Sequence, residues 1–297
     1  MSKALIVGLR RSGTTAFWQW FRADSRWRCF DEPFSEQLLR LPQDHEKTVW
    51  REFIDLHHQD PARFWDHYAP LHRAEELRDD LTDRQTRYLE WLLGQHDRVI
   101  VDTTRCHLKL RHLAEHTSAD SVVHLHRSRR GFVTSHLLPN RSDPIGRMRK
   151  EVRKRSFFTR VNDYDGWGMQ MLIGSGPGSP LSVLLDEVGY RSPLLYDLPA
   201  AGRLMVLWDF FCRQAEESAK RHFPNRVASV RFEDFTASPG TVASQIAETL
   251  GHAKPPGISR PEIRPAAVPF ADDDERWATI ERQAARCLPN GTWWDEL

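Results

Sequence analysis

The sequence predicts an α/β protein with a parallel five-stranded sheet flanked by helices. Three observations carry that expectation. Five short apolar runs, at 4–7, 27–30, 98–104, 121–126 and 226–232, are nearly continuous, the pattern of strands covered on both faces. The segments between them carry apolar residues at helical spacing. The first run passes through a glycine-bounded turn straight into a helical pattern, the strand–loop–helix order from which parallel sheets are built.

The first strand, 4–7, is ALIV, and the turn after it runs from Gly8 to Gly13. From Thr14 the pattern is helical, with Phe17, Trp18, Trp20 and Phe21 apolar. A strand, a glycine-bounded loop and a helix start together form an anion cradle, because backbone N–H groups and the positive end of the helix dipole converge there. Against the phosphate-loop pattern G-x-x-x-x-G-K-[ST], both glycines and the final Thr15 are present, but Thr14 stands where the lysine belongs. That lysine reaches the outer phosphates of a triphosphate, so the loop suits a phosphate but is poorly equipped for ATP. Its cations lie earlier, at Arg10 and Arg11. The plain alternative is an ordinary turn with Ser12 or Thr14 capping the helix.

The second strand, 27–30, runs into Asp31 and Glu32 before Pro33 ends it. In open α/β sheets ligands gather at the carboxyl ends of strands, which makes Glu32 a candidate general base. A solvated loop acid, or a cap for a helix near Ser35, is the competing reading. Helices are expected near 48–58, 61–68 and 84–96, and the segment 45–96 is long enough to cap the cradle. The third strand, 98–104, brings Asp102, Thr103 and Thr104 to the same edge, and a helix follows over 107–116. Cys106, His107, His112 and His116 fall close together there, but their spacing only partly shares a helix face, so no metal is expected.

The fourth strand, 121–126, leads into Arg127, Arg129 and Arg130, which form either a solvated face or an anion site beside a helix start near Gly131. Residues 141–160 hold eight Lys/Arg and two acids: a basic lid, a nucleic-acid patch or simply a solvated helix. The stretch 174–180, GSGPGSP, reads as a loop and a mobile lid. A long helix over 198–222, the strand 226–232, a helix from Pro239 to Gly251, a proline-rich connection at 252–270 and a helix near 272–287 complete the chain.

Composition bounds the rest. The 297 residues show no internal repeat and no composition break, so a single domain over 1–297 is expected, with the cap at about 45–96 and a basic, flexible lid at about 140–198. Forty-two Lys/Arg balance 41 Asp/Glu for a net charge of +1, which supplies no global field toward nucleic acid or membrane. Eleven tryptophans point to core packing or aromatic-lined pockets. Cys29, Cys106, Cys212 and Cys287 are far apart, and neither an apolar leader nor a run of about eighteen apolar residues is present. A cytoplasmic protein with reduced thiols is expected.

Three stretches, in order, resemble the sulfotransferases that use 3′-phosphoadenosine 5′-phosphosulfate (PAPS), a family with a phosphate-loop-NTPase-like fold; the bacterial type is the nearest pattern. Arg11, Ser12, Gly13, Thr14 and Thr15 resemble that family's 5′-phosphosulfate loop. Arg127 with Ser135 resembles its 3′-phosphate motif. Arg231, Phe232, Glu233, Asp234 and Phe235, followed by Pro239 and a helix to Gly251, resemble its Tyr-Glu-Asp-Leu segment. The likeness spans residues 4–251. It implies PAPS as co-substrate without a metal, Arg11 stabilising the bridging oxygen, Ser12 to Thr15 holding the 5′-phosphate, and Arg10 near them. It also implies Phe232 near the adenine in place of the usual tyrosine. Members with a glutamate after the second strand use it as base, which points to Glu32; those with a histidine beyond the third strand point to His107, the less favoured choice. Thr103 stands where many relatives carry lysine, so Lys109 or Arg10 is the substitute cation. The basic run at 141–160 is the candidate to take over from the family's C-terminal phosphate-binding segment, which is not visible in this sequence.

The resemblance implies transfer of a sulfuryl group to a hydroxyl or amine of a small-molecule acceptor, with no nucleic acid and no membrane as partner. A phosphate-loop kinase, dependent on ATP and Mg²⁺, and a non-catalytic basic module for polyanions are the alternatives. The acceptor and the oligomeric state are left open by the residues.

Overall fold

The structure, a computed structural model, describes residues 2–41, 48–138, 144–161, 169–173, 176–251 and 270–296. Residues 45–47 of the expected cap, 141–143 of the basic run, 174–175 of the glycine-rich stretch and 252–269 of the proline-rich connection lie outside them. The described chain forms two compact units, the first from residues 1–126 and 214–264, the second from 127–213 and 265–297.

The first unit is built on five parallel strands: β1 (Ser2–Gly8), β2 (Arg28–Asp31), β3 (Arg98–Thr103), β4 (Ser121–His126) and β5 (Val227–Arg231). Their order is β2-β3-β1-β4-β5. The chain leaves the central β1 toward β2, returns through β3 and then crosses to β4 on the other side. The carboxyl end of β1 is therefore the place where strand order reverses, the usual ligand crevice of such sheets.

Alternation along β1 divides the core. Leu5 and Val7 face one apolar layer with Phe30, Val99, Val101 and Val122. The helices Arg51–Gln59, Pro61–His67, Asp83–Leu93 and Leu110–His116 cover it, through Phe53, Phe64, Tyr88 and Leu113 among others. Ala4 and Ile6 face the opposite layer with Ile100, Val123 and Leu125. Phe17, Trp18 and Phe21 of helix Thr14–Arg22 close that side, together with Phe232 and Phe235 of helix Phe232–Ala237 and Val242 and Ile246 of helix Pro239–Thr249. Both faces are dry, which is why the strands read as unbroken apolar runs.

Two boundaries differ from expectation for local reasons. The helix expected from residue 107 begins at Leu110. The Lys109 N–H bonds back to the Cys106 carbonyl at 3.0 Å, and the fully buried Lys109 ammonium donates to the Glu75 carbonyl at 2.8 Å and to that of Arg78. Lys109 is thus a strut between chain segments, not the start of a helix. Phe232 opens a short helix instead of ending the last strand.

The second unit is helical, with Arg129–Leu137, Pro144–Arg155, Pro180–Glu187, Ser192–Leu195, the first part of Ala200–His222, and Glu275–Ala285. The expected basic run lies largely on Pro144–Arg155. Trp277 packs against Phe157 and Phe158 with ring centroids 5.4 and 4.9 Å apart. Buried Asp209 accepts from the Tyr190 hydroxyl and from the Trp294 N–H. Trp18, Trp20, Trp208 and Trp277 are all fully buried, so these tryptophans serve as core. All four cysteines are buried as well. Among the described residues, no helix is long and apolar enough to cross a membrane.

Candidate functional site

The loop after β1 is shaped by two glycines with no room for a side chain. A Cβ on Gly8 would lie 2.6 Å from the Leu125 carbonyl oxygen and 2.7 Å from Thr14 Cγ2. A Cβ on Gly13 would lie 2.2 Å from the Phe232 ring, and Gly13 also holds φ +95°, a conformation side chains resist. Arg11 takes a left-handed backbone too, at φ 71°. The Ser12 N–H closes the turn on the Leu9 carbonyl at 2.9 Å.

The turn is not capped in the ordinary way. The residue before helix Thr14–Arg22 is Gly13, which has no side chain to cap the first-turn N–H groups. The Ser12 hydroxyl is buried with no hydrogen-bond partner among the described residues. A buried hydroxyl without a partner costs free energy, of order 1–3 kcal/mol, unless something outside the chain satisfies it. Thr14 is buried and Thr15 exposed. An uncapped helix start, a buried hydroxyl and the neighbouring arginines place donors together in the arrangement by which helix starts attract oxyanions. Burial of the Arg11 guanidinium lowers its pKa, the sign of a cation held partly away from water.

Glu32 stands one residue past the end of β2, at φ 50°. Its N–H donates to the Asp102 carbonyl at 2.9 Å, and its Oε1 accepts from the Thr104 N–H at 3.1 Å. Helix capping is not its task, because Ser35 Oγ itself accepts from the Gln37 N–H. Burial raises the pKa of Glu32, against the pull of Thr104, Arg105 and Arg10. A carboxylate held half-buried with raised proton affinity is what a general base needs.

Two more carboxyls lie beneath it. Asp31 and Asp102 are register partners on β2 and β3, and both are buried. Burial and the Glu32 charge push Asp31 up to about 7, and burial with the Asp31 and Glu32 charges pushes Asp102 well above its ordinary range.

Arg10 forms an ion pair with Glu76, and Arg105 Nε lies 3.7 Å from the same carboxylate. Glu76 was not apparent from sequence, and no local pattern marks a partner 66 residues from Arg10. His107 is buried, and burial with His124 and Arg10 nearby pushes its pKa well below the ordinary value. Lys109, a suggested substitute cation, is taken up by the two carbonyls described above.

The structure therefore gathers Arg10, Arg11, Ser12, Gly13, Thr14, Thr15, Glu32, His107 and Phe232 in the first unit, while Arg127 and Ser135 belong to the second. Arg127 follows β4 directly; it is buried, and its carbonyl accepts from Trp208 Nε1 at 2.9 Å. Ser135 is buried in helix Arg129–Leu137, its hydroxyl donating to the Phe132 carbonyl at 2.8 Å. That helix is capped by Ser128, whose Oγ accepts from the Gly131 N–H. Arg129 pairs with Asp295 at 2.8 Å and lies over the Trp293 ring. Arg130 grips Glu281 through two bonds of 2.9 Å. These two arginines clamp the C-terminal helix, an outcome outside the solvated-face and anion-site alternatives.

Taken together, fold and loop define an α/β parallel-sheet protein with a glycine-shaped, uncapped strand-to-helix turn at its topological switch point. No model of a known family matches the chain, and no curated protein matches it. Among solved structures it is similar to the sulfotransferase domain of the Synechococcus PCC 7002 olefin synthase, at 14% identity and a TM-score of 0.43, covering 85% of this chain and 74% of that one. It is also similar to sulfotransferase STF1 of Mycobacterium tuberculosis H37Rv, at 14% identity and TM-score 0.45, covering 84% and 67%. A sulfotransferase domain from the curacin biosynthetic pathway matches at 17% identity and TM-score 0.45, covering 86% and 75%.

Proposed function

We propose that the chain is a sulfotransferase that moves a sulfuryl group from PAPS to a hydroxyl or amine of a small-molecule acceptor. The observation that supports this best is the loop: a glycine-shaped, uncapped cradle with an unspent Ser12 hydroxyl, arginines on its rim and threonine in place of the lysine an ATP site needs. In this reading Ser12, Gly13, Thr14 and Thr15 hold the 5′-phosphate, and Arg10 lies beside them. Arg11 neutralises charge on the bridging oxygen as the S–O bond to the donor breaks, work for which no metal is required. Glu32 takes the proton of the acceptor as its oxygen or nitrogen bonds to sulfur, and 3′-phosphoadenosine 5′-phosphate departs. Arg127 and Ser135 serve the 3′-phosphate and Phe232 the adenine side, on the strength of their motif resemblance. Glu32 is preferred to His107 as base because its proton affinity is raised at the strand edge, whereas the buried His107 ring has lost basicity.

Thermal shift tests the reading directly. 3′-Phosphoadenosine 5′-phosphate is expected to stabilise the protein while ATP–Mg²⁺ does not. Stabilisation by ATP–Mg²⁺ alone would turn the assignment to a kinase. Salt-sensitive polyanion binding that survives Arg11→Ala, with no response to either nucleotide, would turn it to a non-catalytic module.

A further inference from the structure

We infer that Asp31 and Asp102 hold one proton between them and act as a positioning pair for Glu32, locking the turn that presents its carboxylate and keeping one negative charge beside it. The inference rests on the reading of Glu32 as the base.

The geometry begins with register. Asp31 on β2 lies opposite Asp102 on β3, and neighbouring strands run about 4.8 Å apart with paired side chains on the same face. Asp102 is fully buried and Asp31 nearly so. Both Asp102 carboxyl oxygens and Asp31 Oδ1 are buried without a hydrogen-bond partner among the described residues. Two ionised carboxylates cannot share such a space, since each repels the other where burial leaves little water to screen them. One proton between them removes the repulsion and supplies the missing hydrogen bond, as in other buried carboxyl dyads. The upward shifts of both groups agree with this.

The pair is joined to Glu32 through the backbone. Asp31 precedes Glu32 in the chain, and the Asp102 carbonyl receives the Glu32 N–H. The left-handed turn at Glu32 is thereby pinned at both ends by the dyad's own residues, and the side chain swings over to the Thr104 N–H.

Surrounding charges do not cancel the dyad. On its far side Arg22, from helix Thr14–Arg22, is already paired with Glu52 of helix Arg51–Gln59 at 2.8 Å. On the Glu32 side Arg10 and Arg105 both lean on Glu76, and His107 is pushed toward its neutral form. The Thr14 hydroxyl favours the ionised form of Asp102 and links the dyad to the loop. A dyad with one proton therefore leaves about one negative charge facing Glu32, which raises the proton affinity of the base.

Carboxyl-carbon NMR on protein labelled with ¹³C-Asp and ¹³C-Glu reads this without any acceptor. The Asp31 and Asp102 signals are expected to move together, releasing a single proton near pH 7. In Asp31→Asn an amide replaces the shared proton and one charge stays, so the Glu32 midpoint should hold. In the double variant Asp31→Asn/Asp102→Asn the charge is gone, and the Glu32 midpoint should fall by about one pH unit. If the double variant does not fold, the wild-type titration alone decides. Two aspartates both ionised well below neutral pH would overturn the inference. So would an unmoved Glu32 midpoint in a folded double variant, or a response of the two aspartate signals to MgCl₂, which would put a cation where the proton is inferred. Absence of any response to 3′-phosphoadenosine 5′-phosphate would sink the sulfotransferase reading and leave this titration standing, so the two fail separately.

Discussion

Two junctions in this chain share one plan, a buried strand, an arginine-bearing turn and a helix start, and they use it in opposite ways. After β1 the helix begins on Gly13 with no side-chain cap, and the Ser12 hydroxyl has no partner among the described residues. After β4 the helix is capped by Ser128, and Arg129 and Arg130 are committed to Asp295 and Glu281. The lesson is that arginines at a strand end do not make an anion site by themselves. What distinguishes the first junction is a helix start with no side-chain cap beside a buried serine hydroxyl that bonds to none of the described residues.

The sharpest way to break the comparison is Gly13→Ala. The new Cβ would enter the Phe232 ring on a left-handed backbone, so we expect a loss of about 3 kcal/mol by chemical denaturation. Adding Phe232→Ala should relieve the clash but not the backbone strain; a Gly13→Ala loss under about 1 kcal/mol would mean the loop is not held as described.

The second test uses pH. Asp31 titrates near 7 in the fold against 3.8 unfolded, so the native state binds more protons in that window and stability must fall as pH rises through it. Asp31→Asn removes that slope, and relative to the wild type we expect it to gain roughly 4 kcal/mol between pH 4 and pH 8, measured by urea melts. A slope that survives Asp31→Asn places the titrating group elsewhere.

Smaller effects separate the two serines. Ser128→Ala should cost about 1 kcal/mol, the value of a helix cap. Ser12→Ala should raise the stability of the unliganded protein by about 1 kcal/mol, since it removes a buried hydroxyl that bonds to nothing among the described residues, yet weaken the thermal shift given by 3′-phosphoadenosine 5′-phosphate. If the two substitutions cost the same, the contrast between the junctions is lost.

Much of the scaffold was legible because its causes are local. Strands buried on both faces must be apolar throughout, so β1, β3 and β4 stand out as runs, and Gly8 and Gly13 mark a loop that tolerates no Cβ. Glu32 could be placed at the sheet edge from Pro33 and the end of an apolar run. What could not be read depends on strand order and distant partners. The Asp31–Asp102 pairing exists only because β2 and β3 are neighbours in the order β2-β3-β1-β4-β5. Arg130 finds Glu281 across 151 residues, and Lys109, typical of a surface by composition, is fully buried because two carbonyls from another segment meet it. Charge patterning along the chain carries no trace of such long-range satisfaction.

The thiols have a practical consequence. Cys29 and Cys106 lie in the first unit, Cys212 and Cys287 in the second. Burial drives the Cys29 thiol far up and those of Cys106 and Cys287 up to about 11, so none of these three offers the thiolate that alkylating reagents require. Labelling must then wait for a local opening, and the order in which the four sites react clocks breathing in each half of the molecule with no engineered probe.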